Sequence, residues 1–179
     1  MKILVLTGSP HKKGTSALLA DRFCQGAQEK GHTITRKELA FLFLHPCMAC
    51  NYCRSHEGAC VQQDDMQQIF PLLLEADMVV FVTPLYYFGM SAQLKMAIDR
   101  FYAINDQLQA HPKKAMLLAT CGDTDSWAMD GLHLHYQTIC RYLGWQDVGY
   151  LPAFGMYVRS NIESSDYPQK AYELGLSME

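Results

Sequence analysis

The sequence lacks the features that mark membrane, secreted and nucleic-acid-binding proteins. The apolar stretch that follows Met1 stops at Gly8, which is too short for a signal peptide or a membrane span. Neither positive nor negative charge dominates, because 15 lysines and arginines and 18 aspartates and glutamates give a net charge of -3 over 179 residues. We therefore expect a cytoplasmic protein that binds neither nucleic acid nor a membrane.

Several catalytic and nucleotide-binding motifs are also missing. Gly14 is followed by Thr15, so the first glycine-containing loop has no P-loop lysine, and it has no G-x-G-x-x-G fingerprint. No G-x-S-x-G elbow indicates a hydrolase, and no H-E-x-x-H motif indicates a zinc protease. His133 and His135 are two apart and face different sides of a predicted helix, so we interpret the histidines as surface or packing residues.

The composition that remains is typical of one globular domain. Hydrophobic residues make up 49% of the chain and charged residues 18%. A chain of this length buries on the order of 70% of the surface that it exposes when unfolded. No linker, repeat or low-complexity segment interrupts it, so we predict a single domain over residues 1–179.

Short apolar runs indicate the strands of a parallel sheet. Residues 3–6, 78–82 and 115–119 are nearly continuous apolar runs, which suit strands that are buried on both faces. Residues 32–40 carry polar side chains on both faces, which is typical of an edge strand. A fifth strand is expected near residues 148–151.

Four segments between these runs repeat apolar residues at helical spacing. Asp64 and Asp65 are placed to cap the second helix and Ser91 the third, while the fourth begins near Ser126. Strands that alternate with helices predict an α/β fold: a flavodoxin-like, doubly wound, five-stranded parallel sheet in the order 2-1-3-4-5, with helices on both faces.

The loop after the first strand has the composition of an anion-binding loop. It leaves the carboxyl edge of the sheet and leads into a helix, whose amino terminus offers unpaired amides and a positive dipole end. Ser9, Thr15 and Ser16 add hydroxyl donors, while Gly8 and Gly14 allow close backbone approach. The alternative is a serine-capped helix start that holds no ligand.

Two further loops are expected at the same edge. Residues 83–90 bring three aromatic rings beside a proline and a glycine, which suits packing against a flat ring, although burial of the sheet's mouth or a subunit contact explains them too. Residues 120–127 follow the fourth strand and would form a third wall. Trp127 in this loop is alternatively a core residue.

Four cysteines are grouped in the long connection at residues 41–63. Cys47, Cys50 and Cys53 are spaced C-x-x-C-x-x-C, and Cys60 follows after six residues. This compact pattern matches iron-sulfur ligation better than a zinc ribbon. Redox-sensing thiols, packing thiols, or a zinc site that includes His56 remain alternatives.

Together these motifs resemble the NAD(P)H-dependent FMN reductase and flavodoxin-like superfamily, especially its small cysteine-loop members, which include iron-sulfur flavoproteins. Residues 8–16 are similar to the FMN-phosphate loop of that family, and residues 64–66 to its acidic helix start. Residues 83–89 and the helix behind them are similar to its flavin-ring loop. The specific motifs extend over about residues 1–102.

The resemblance implies FMN as the cofactor and assigns its contacts to three loops: Ser9, Pro10, His11, Gly14, Thr15, Ser16, Pro84, Leu85, Tyr86, Tyr87, Phe88, Thr120, Gly122 and Asp123. It implies an oxidoreductase that takes hydride from NAD(P)H and reduces a quinone, a flavin or another small acceptor. The alternative is a non-enzymatic electron carrier of the flavodoxin or iron-sulfur flavoprotein type. No catalytic side chain is assigned, because flavin supplies the redox chemistry itself.

Two further expectations follow from the resemblance. The cysteine loop would hold a [4Fe-4S] cluster, if one is present, through the four thiols Cys47, Cys50, Cys53 and Cys60. The protein would form a homodimer or a higher homo-oligomer, because related reductases build part of the flavin site across a subunit interface.

Overall fold

Strands and helices alternate along the computed structural model, which describes all 179 residues. The strands are β1 (Lys2–Thr7), β2 (Thr33–Glu38), β3 (Met78–Pro84), β4 (Lys114–Thr120) and β5 (Gln146–Ala153). The helices are α1 (Thr15–Glu29), α2 (Tyr52–Ser55), α3 (Met66–Glu75), α4 (Ala92–Asp99), α5 (Asn105–Ala110), α6 (Asp130–Leu143), α7 (Arg159–Glu163) and α8 (Tyr167–Leu176). Short 3-10 helices cover Leu39–Phe41, Arg100–Ile104 and Ser126–Met129.

The five strands form one parallel sheet in the order β2-β1-β3-β4-β5, which confirms the predicted fold class. Every residue of β3 is buried, as expected for a central strand that is covered on both faces, whereas β2 has no fully buried residue. The strand order reverses between β1 and β3. In such sheets the ligand crevice lies outside the carboxyl ends of the strands at this reversal.

The sheet divides the apolar core into two layers, and helices cover each of them. The larger layer lies under α3 to α6 and centres on Phe81, whose ring packs 6.1–6.5 Å from those of Phe101, Tyr136 and Trp145. The smaller layer lies under α1, α7 and α8 and includes Phe23. None of the helices has the length and hydrophobicity that a membrane-crossing helix needs.

The observed starts of the helices agree in part with those predicted from the sequence. The Ser91 hydroxyl accepts a hydrogen bond from the Leu94 amide at 3.4 Å, which confirms it as the cap of α4. Asp64 accepts one from the Met66 amide at 3.1 Å. Asp65 occupies the cap position of α3 as predicted, but its side chain makes no capping hydrogen bond, because its carboxylate accepts from the Phe43 amide. The fourth predicted helix, α6, begins at Asp130 rather than near Ser126, because the 3-10 helix Ser126–Met129 precedes it.

The carboxyl-terminal part of the chain differs most from the expectation. Strand β5 is longer than residues 148–151 and contains Pro152, which an edge strand tolerates because one side of its backbone needs no partner. Helices α7 and α8 had no predicted counterpart. Of the two alternatives predicted for the histidines, surface or packing, the structure shows packing for His133, whose ring stacks on Tyr150 with 4.0 Å between centroids.

Candidate functional site

A cleft with a volume of about 1170 Å³ opens at the carboxyl edge of the sheet. Its walls come from residues 9–16, 84–86, 120–123 and 156–159. All of the residues predicted to contact a cofactor line this cleft except Tyr87 and Phe88. The first three walls follow β1, β3 and β4, as the sequence predicted, and the fourth follows β5.

The first wall is anchored to α4 by close backbone packing. The Gly8 amide donates to the Val82 carbonyl at 2.9 Å, and the Ser91 hydroxyl donates to the Gly8 carbonyl at 2.8 Å. A side chain at Gly8 would place its Cβ only 2.3 Å from the Ser91 oxygen. Glycine is therefore required here by space, and the loop begins from a rigid point.

The loop leads into α1, and no side chain of the protein caps the amino terminus of this helix. Gly14 is the cap residue, and its amide donates to the His11 carbonyl at 2.9 Å. The amides of Thr15 and Ser16 make no hydrogen bond with the protein, as is usual for the first turn of a helix that no side chain caps. Both amides therefore remain as donors at the wall of the cleft.

Hydroxyl groups and positive charge surround these amides. The Ser9 hydroxyl accepts from the His11 amide at 3.1 Å, and the hydroxyls of Thr15 and Thr120 lie 3.0 Å apart, which joins the first wall to the end of β4. Four basic residues line the cleft, whereas its single carboxylate is that of Asp123; the basic residues are His11, Lys12, Lys13 and Arg159. The cleft is thus positive within a chain that is slightly negative overall.

The second wall ends in a tight two-residue turn. Tyr86 and Gly89 exchange two backbone hydrogen bonds of 3.1 Å, and the turn residues Tyr87 and Phe88 have positive φ angles of 47° and 62°. This turn lifts both side chains away from the cleft lining, and Tyr87 is fully exposed. Phe88 stacks on Trp127 with 5.4 Å between ring centroids.

Trp127 is 57% exposed, so the alternative of a core residue is wrong. The 3-10 helix buries Ala128 and Met129 and turns the indole outward. Cys121 in the same loop is buried, donates to the Asp123 carbonyl at 3.3 Å, and has its pKa raised by burial. It therefore remains a protonated thiol near neutral pH.

The fourth wall, residues 156–159, was not predicted. The Met156 amide donates to the Cys121 carbonyl at 2.6 Å, and the Tyr157 ring lies so close to Gly122 that a Cβ there would approach it to 2.8 Å. Arg159 reaches across to the carbonyls of Lys13 and Gly14. No motif marks this segment, because it joins the cleft only through the parallel placement of β5.

The cysteine loop forms a separate pocket. Cys47, Cys50, Cys53 and Cys60 line one small cavity of about 20 Å³ together with Arg100, and no residue lines both this pocket and the cleft. All seven cysteines are free thiols. No three histidine, cysteine or carboxylate side chains are arranged to hold a metal ion, so the cluster and the zinc site remain predictions.

A buried ion pair lies beneath the cysteine pocket. The Arg100 guanidinium donates to both oxygens of Asp64, at 2.7 and 3.2 Å, and to the Cys60 sulfur at 3.2 Å. It also donates to the His45 carbonyl at 2.9 Å. Burial raises the pKa of Asp64, but hydrogen bonds from Arg100 and from the amides of His45 and Met66 outweigh burial and leave it below its ordinary value. The pair thus ties both ends of the cysteine loop to the core.

Two kinds of known protein are similar to this chain in sequence. An iron-sulfur flavoprotein of Methanocaldococcus jannaschii is 38% identical over 100 residues, which cover 56% of this chain and 51% of that protein. The Bacillus subtilis protein YwqN, whose name describes an NAD(P)H-dependent FMN-containing oxidoreductase, is 29% identical over 161 residues, which cover 84% of this chain and 83% of YwqN. The chain therefore spans about half the length of the iron-sulfur flavoprotein and most of YwqN.

Solved structures share the fold over almost all of this chain. The NAD(P)H:quinone oxidoreductase from Methanothermobacter marburgensis has a TM-score of 0.74 and 19% identity, with 100% of this chain and 96% of that chain covered. An azoreductase from Bacillus anthracis has a TM-score of 0.76 and 17% identity, with 99% and 100% covered. The family model described as NADPH-dependent FMN reductase matches residues 1–157, so the chain belongs to the NADPH-dependent FMN reductase family.

Proposed function

We propose that the cleft binds FMN and that the protein is an FMN-dependent oxidoreductase, which takes hydride from NAD(P)H and reduces a small acceptor such as a quinone or a flavin. The observation that carries this proposal is the pair of unpartnered amides, Thr15 and Ser16, at the start of α1 in a positive cleft. A phosphate dianion matches both the helix dipole and these donors. Family membership supports a flavin mononucleotide as the source of that phosphate.

The remaining walls suit the ring of the same cofactor. When bound, FMN accepts hydride from NAD(P)H and passes electrons to the acceptor. Leu85 and Tyr86 offer apolar surface beside backbone amides and carbonyls, and Gly122 lets the third wall approach closely. The side chains bind and orient, and none needs to act as an acid or a base.

The phosphate loop is tested by removing its hydroxyls. The triple variant Ser9→Ala, Thr15→Ala, Ser16→Ala should bind FMN about a hundredfold or more weakly, since each lost hydrogen bond costs about 1 kcal/mol. The dissociation constant is measured by quenching of flavin fluorescence. A matched control, Ser55→Ala, Thr138→Ala, Ser177→Ala, removes three exposed hydroxyls elsewhere and should bind normally. Full retention of FMN by the first variant would refute the proposal.

Turnover separates the enzyme from an electron carrier. An oxidoreductase should oxidise NAD(P)H in repeated turnovers when a quinone or free flavin is supplied. The rate is followed by the loss of the near-ultraviolet absorbance of the reduced nicotinamide, against a blank without protein. A purified, FMN-loaded protein that fails to oxidise either NADH or NADPH would refute the enzymatic function. The same assay compares the two nucleotides.

A second candidate function, electron transfer through a cluster and FMN, is favoured by the cysteine pocket. Four thiols beside the buried cation of Arg100 form a donor set that suits an iron-sulfur cluster, although the side chains must shift before three of them can hold one ion. Anaerobic reconstitution with iron and sulfide tests it. The wild type should gain broad absorbance that a Cys47→Ser, Cys50→Ser variant does not, and the absence of that difference would exclude this function.

We also propose that two copies associate through the mouth of the cleft. Large aromatic side chains are exposed around it, namely Tyr87, Phe88, Trp127 and Tyr157. Exposed apolar groups in such a cluster are typical of interaction sites. Sedimentation velocity should show a two-chain species that Phe88→Arg, Trp127→Arg converts to a monomer. A wild-type monomer at micromolar concentration would contradict this proposal.

A further inference from the structure

Arg159 binds the phosphate loop from the opposite wall of the cleft. Its Nη1 donates to the carbonyl of Lys13 at 3.2 Å and to that of Gly14 at 3.1 Å, while its Nε donates to a carboxylate oxygen of Glu163 at 2.7 Å. Its Nη2 makes no hydrogen bond with the protein. The residue lies beyond residue 157, where the match to the family ends.

These contacts determine the direction of the amide that faces the anion site. A trans peptide is planar, so the Gly14 carbonyl and the Thr15 amide must point in opposite directions. Arg159 and the Leu18 amide both bind that carbonyl, the latter at 3.3 Å. The Thr15 amide is therefore held toward the open start of α1, where it has no protein partner.

A rigid element presents the guanidinium. Arg159 is the first residue of α7, and Ile162 of the same helix is completely buried in the smaller core layer. The Asn161 side chain accepts from the Val158 amide at 3.0 Å, which closes the start of the helix. Arg159 thus approaches the loop from a fixed backbone position, and Glu163 of the same helix holds its guanidinium.

The charge of Arg159 also acts on the cleft. Its side chain is 34% exposed and lines the cleft, whereas Glu163, which offsets part of the charge, is 55% exposed and does not line it. A phosphomonoester at the start of α1 would therefore meet the positive end of this pair.

We infer that Arg159 is a positioning residue for the phosphate loop, through which the carboxyl-terminal segment makes the site selective for a flavin that bears a phosphomonoester over the same flavin without it. This inference rests on the proposed binding of FMN. Riboflavin and FMN carry the same ring, so residues 84–86 would contact both alike, and only the phosphate distinguishes the two ligands.

The test compares FMN with riboflavin in three proteins. Arg159→Gln should weaken FMN binding about ten- to a hundredfold, which is the range for hydrogen bonds that involve a charged group, and should change riboflavin binding by less than about twofold. Arg159→Lys should restore part of the FMN affinity, because it keeps the charge but lacks the planar fork that binds the loop carbonyls and Glu163 at the same time. FMN affinity should also fall less steeply with salt in Arg159→Gln than in the wild type.

Arg141→Gln, which changes an exposed arginine of α6, serves as the matched control and should bind both ligands normally. Equal weakening of FMN and riboflavin in Arg159→Gln would show a merely structural role and overturn the inference. If the wild type binds FMN and Arg159→Gln binds it equally well, the inference fails while the proposed function stands. A wild type that binds neither ligand would remove both.

Discussion

Tyr87 and Phe88 occupy backbone conformations that bulky residues normally avoid. Both have left-handed φ angles, and they are the two central residues of the turn between Tyr86 and Gly89. This conformation costs an L-residue roughly 1–2 kcal/mol, and asparagine and glycine are the usual residues of such turns. Strain of this kind collects at functional sites, which agrees with the position of the turn beside the cleft.

Relief of this strain should stabilise the protein. We expect Tyr87→Asn to raise the free energy of unfolding of the single chain by about 0.5–1 kcal/mol, because asparagine tolerates the left-handed region and the ring of Tyr87 has no packing to lose within its own chain. Urea denaturation measures the change. Tyr87→Phe keeps the strain and should leave stability unaltered; a loss of stability in Tyr87→Asn would show that the ring has an unrecognised contact.

The buried ion pair of Asp64 and Arg100 is a second feature of single residues that determines the stability of the protein. Both side chains are 1% exposed, so neither charge is stabilised by water. The Arg100 Nε makes no hydrogen bond even with the pair intact. Removing one partner would leave a buried charge without compensation, which is much more costly than losing a surface pair.

We expect Asp64→Asn to lower the free energy of unfolding by about 3–5 kcal/mol at pH 7, as measured by urea denaturation. The pKa of Asp64 is lowered in the folded protein, so the stabilisation is complete above the unfolded value of about 4 and is lost as pH falls through the folded one. The variant should lack this acid-side decline. Asp106→Asn, whose pair with Arg54 is exposed, is the control and should change stability by less than about 0.5 kcal/mol.

Helices α1 and α8 pack with their backbones almost in contact. A Cβ added at Gly26 would lie 2.2 Å from the Tyr172 carbonyl, and one added at Gly175 would lie 2.3 Å from the Phe23 carbonyl. Two glycines, one on each helix, therefore permit the approach. This contact joins the last helix to the helix whose first turn would hold the proposed phosphate.

Gly175→Ala should destabilise this helix pair. We expect a loss of about 1–3 kcal/mol, because the clash is with backbone atoms that can move only if the helices separate. Thermal unfolding followed by circular dichroism measures it. Gln169→Ala, at an exposed position of the same helix, should fall within about 0.5 kcal/mol of the wild type, and an equally small effect of Gly175→Ala would mean that α8 is loosely held.

At the scale of the whole molecule, the cleft couples ligand binding to stability. Its four walls follow four of the five strands, so a ligand that joins them binds only the folded chain. At a free concentration of one hundred times its dissociation constant, such a ligand adds about 2.7 kcal/mol to the free energy of unfolding.

FMN at that concentration should raise the melting temperature by about 5–11 °C, given about 2–4 °C per kcal/mol for a domain of this size. Riboflavin at equal concentration should raise it less, since it lacks the phosphate that the start of α1 would bind. Differential scanning calorimetry distinguishes the two. An equal shift with both flavins would indicate that the phosphate loop contributes nothing to binding.

The elements that the sequence predicted well have local causes. Residues 3–6, 78–82 and 115–119 are apolar without interruption, and this pattern requires burial on both faces wherever the strand lies. The first loop carries its own donors, so Ser9, Thr15 and Ser16 reached the cleft as expected. Tyr87 and Phe88 did not, because a two-residue turn, whose handedness the aromatic residues do not reveal, lifts them out.

The sequence by itself determined the alternation of strands and helices, and with it a parallel sheet whose first, third and fourth strands deliver their loops to one edge. Only the tertiary structure decided that residues 156–159 form the fourth wall of the cleft and that Arg159 binds the carbonyls of Lys13 and Gly14. The physical reason is distance along the chain. An apolar pattern predicts the secondary structure of the short segment that contains it. A contact between residues 14 and 159 exists only after β5 has paired with β4.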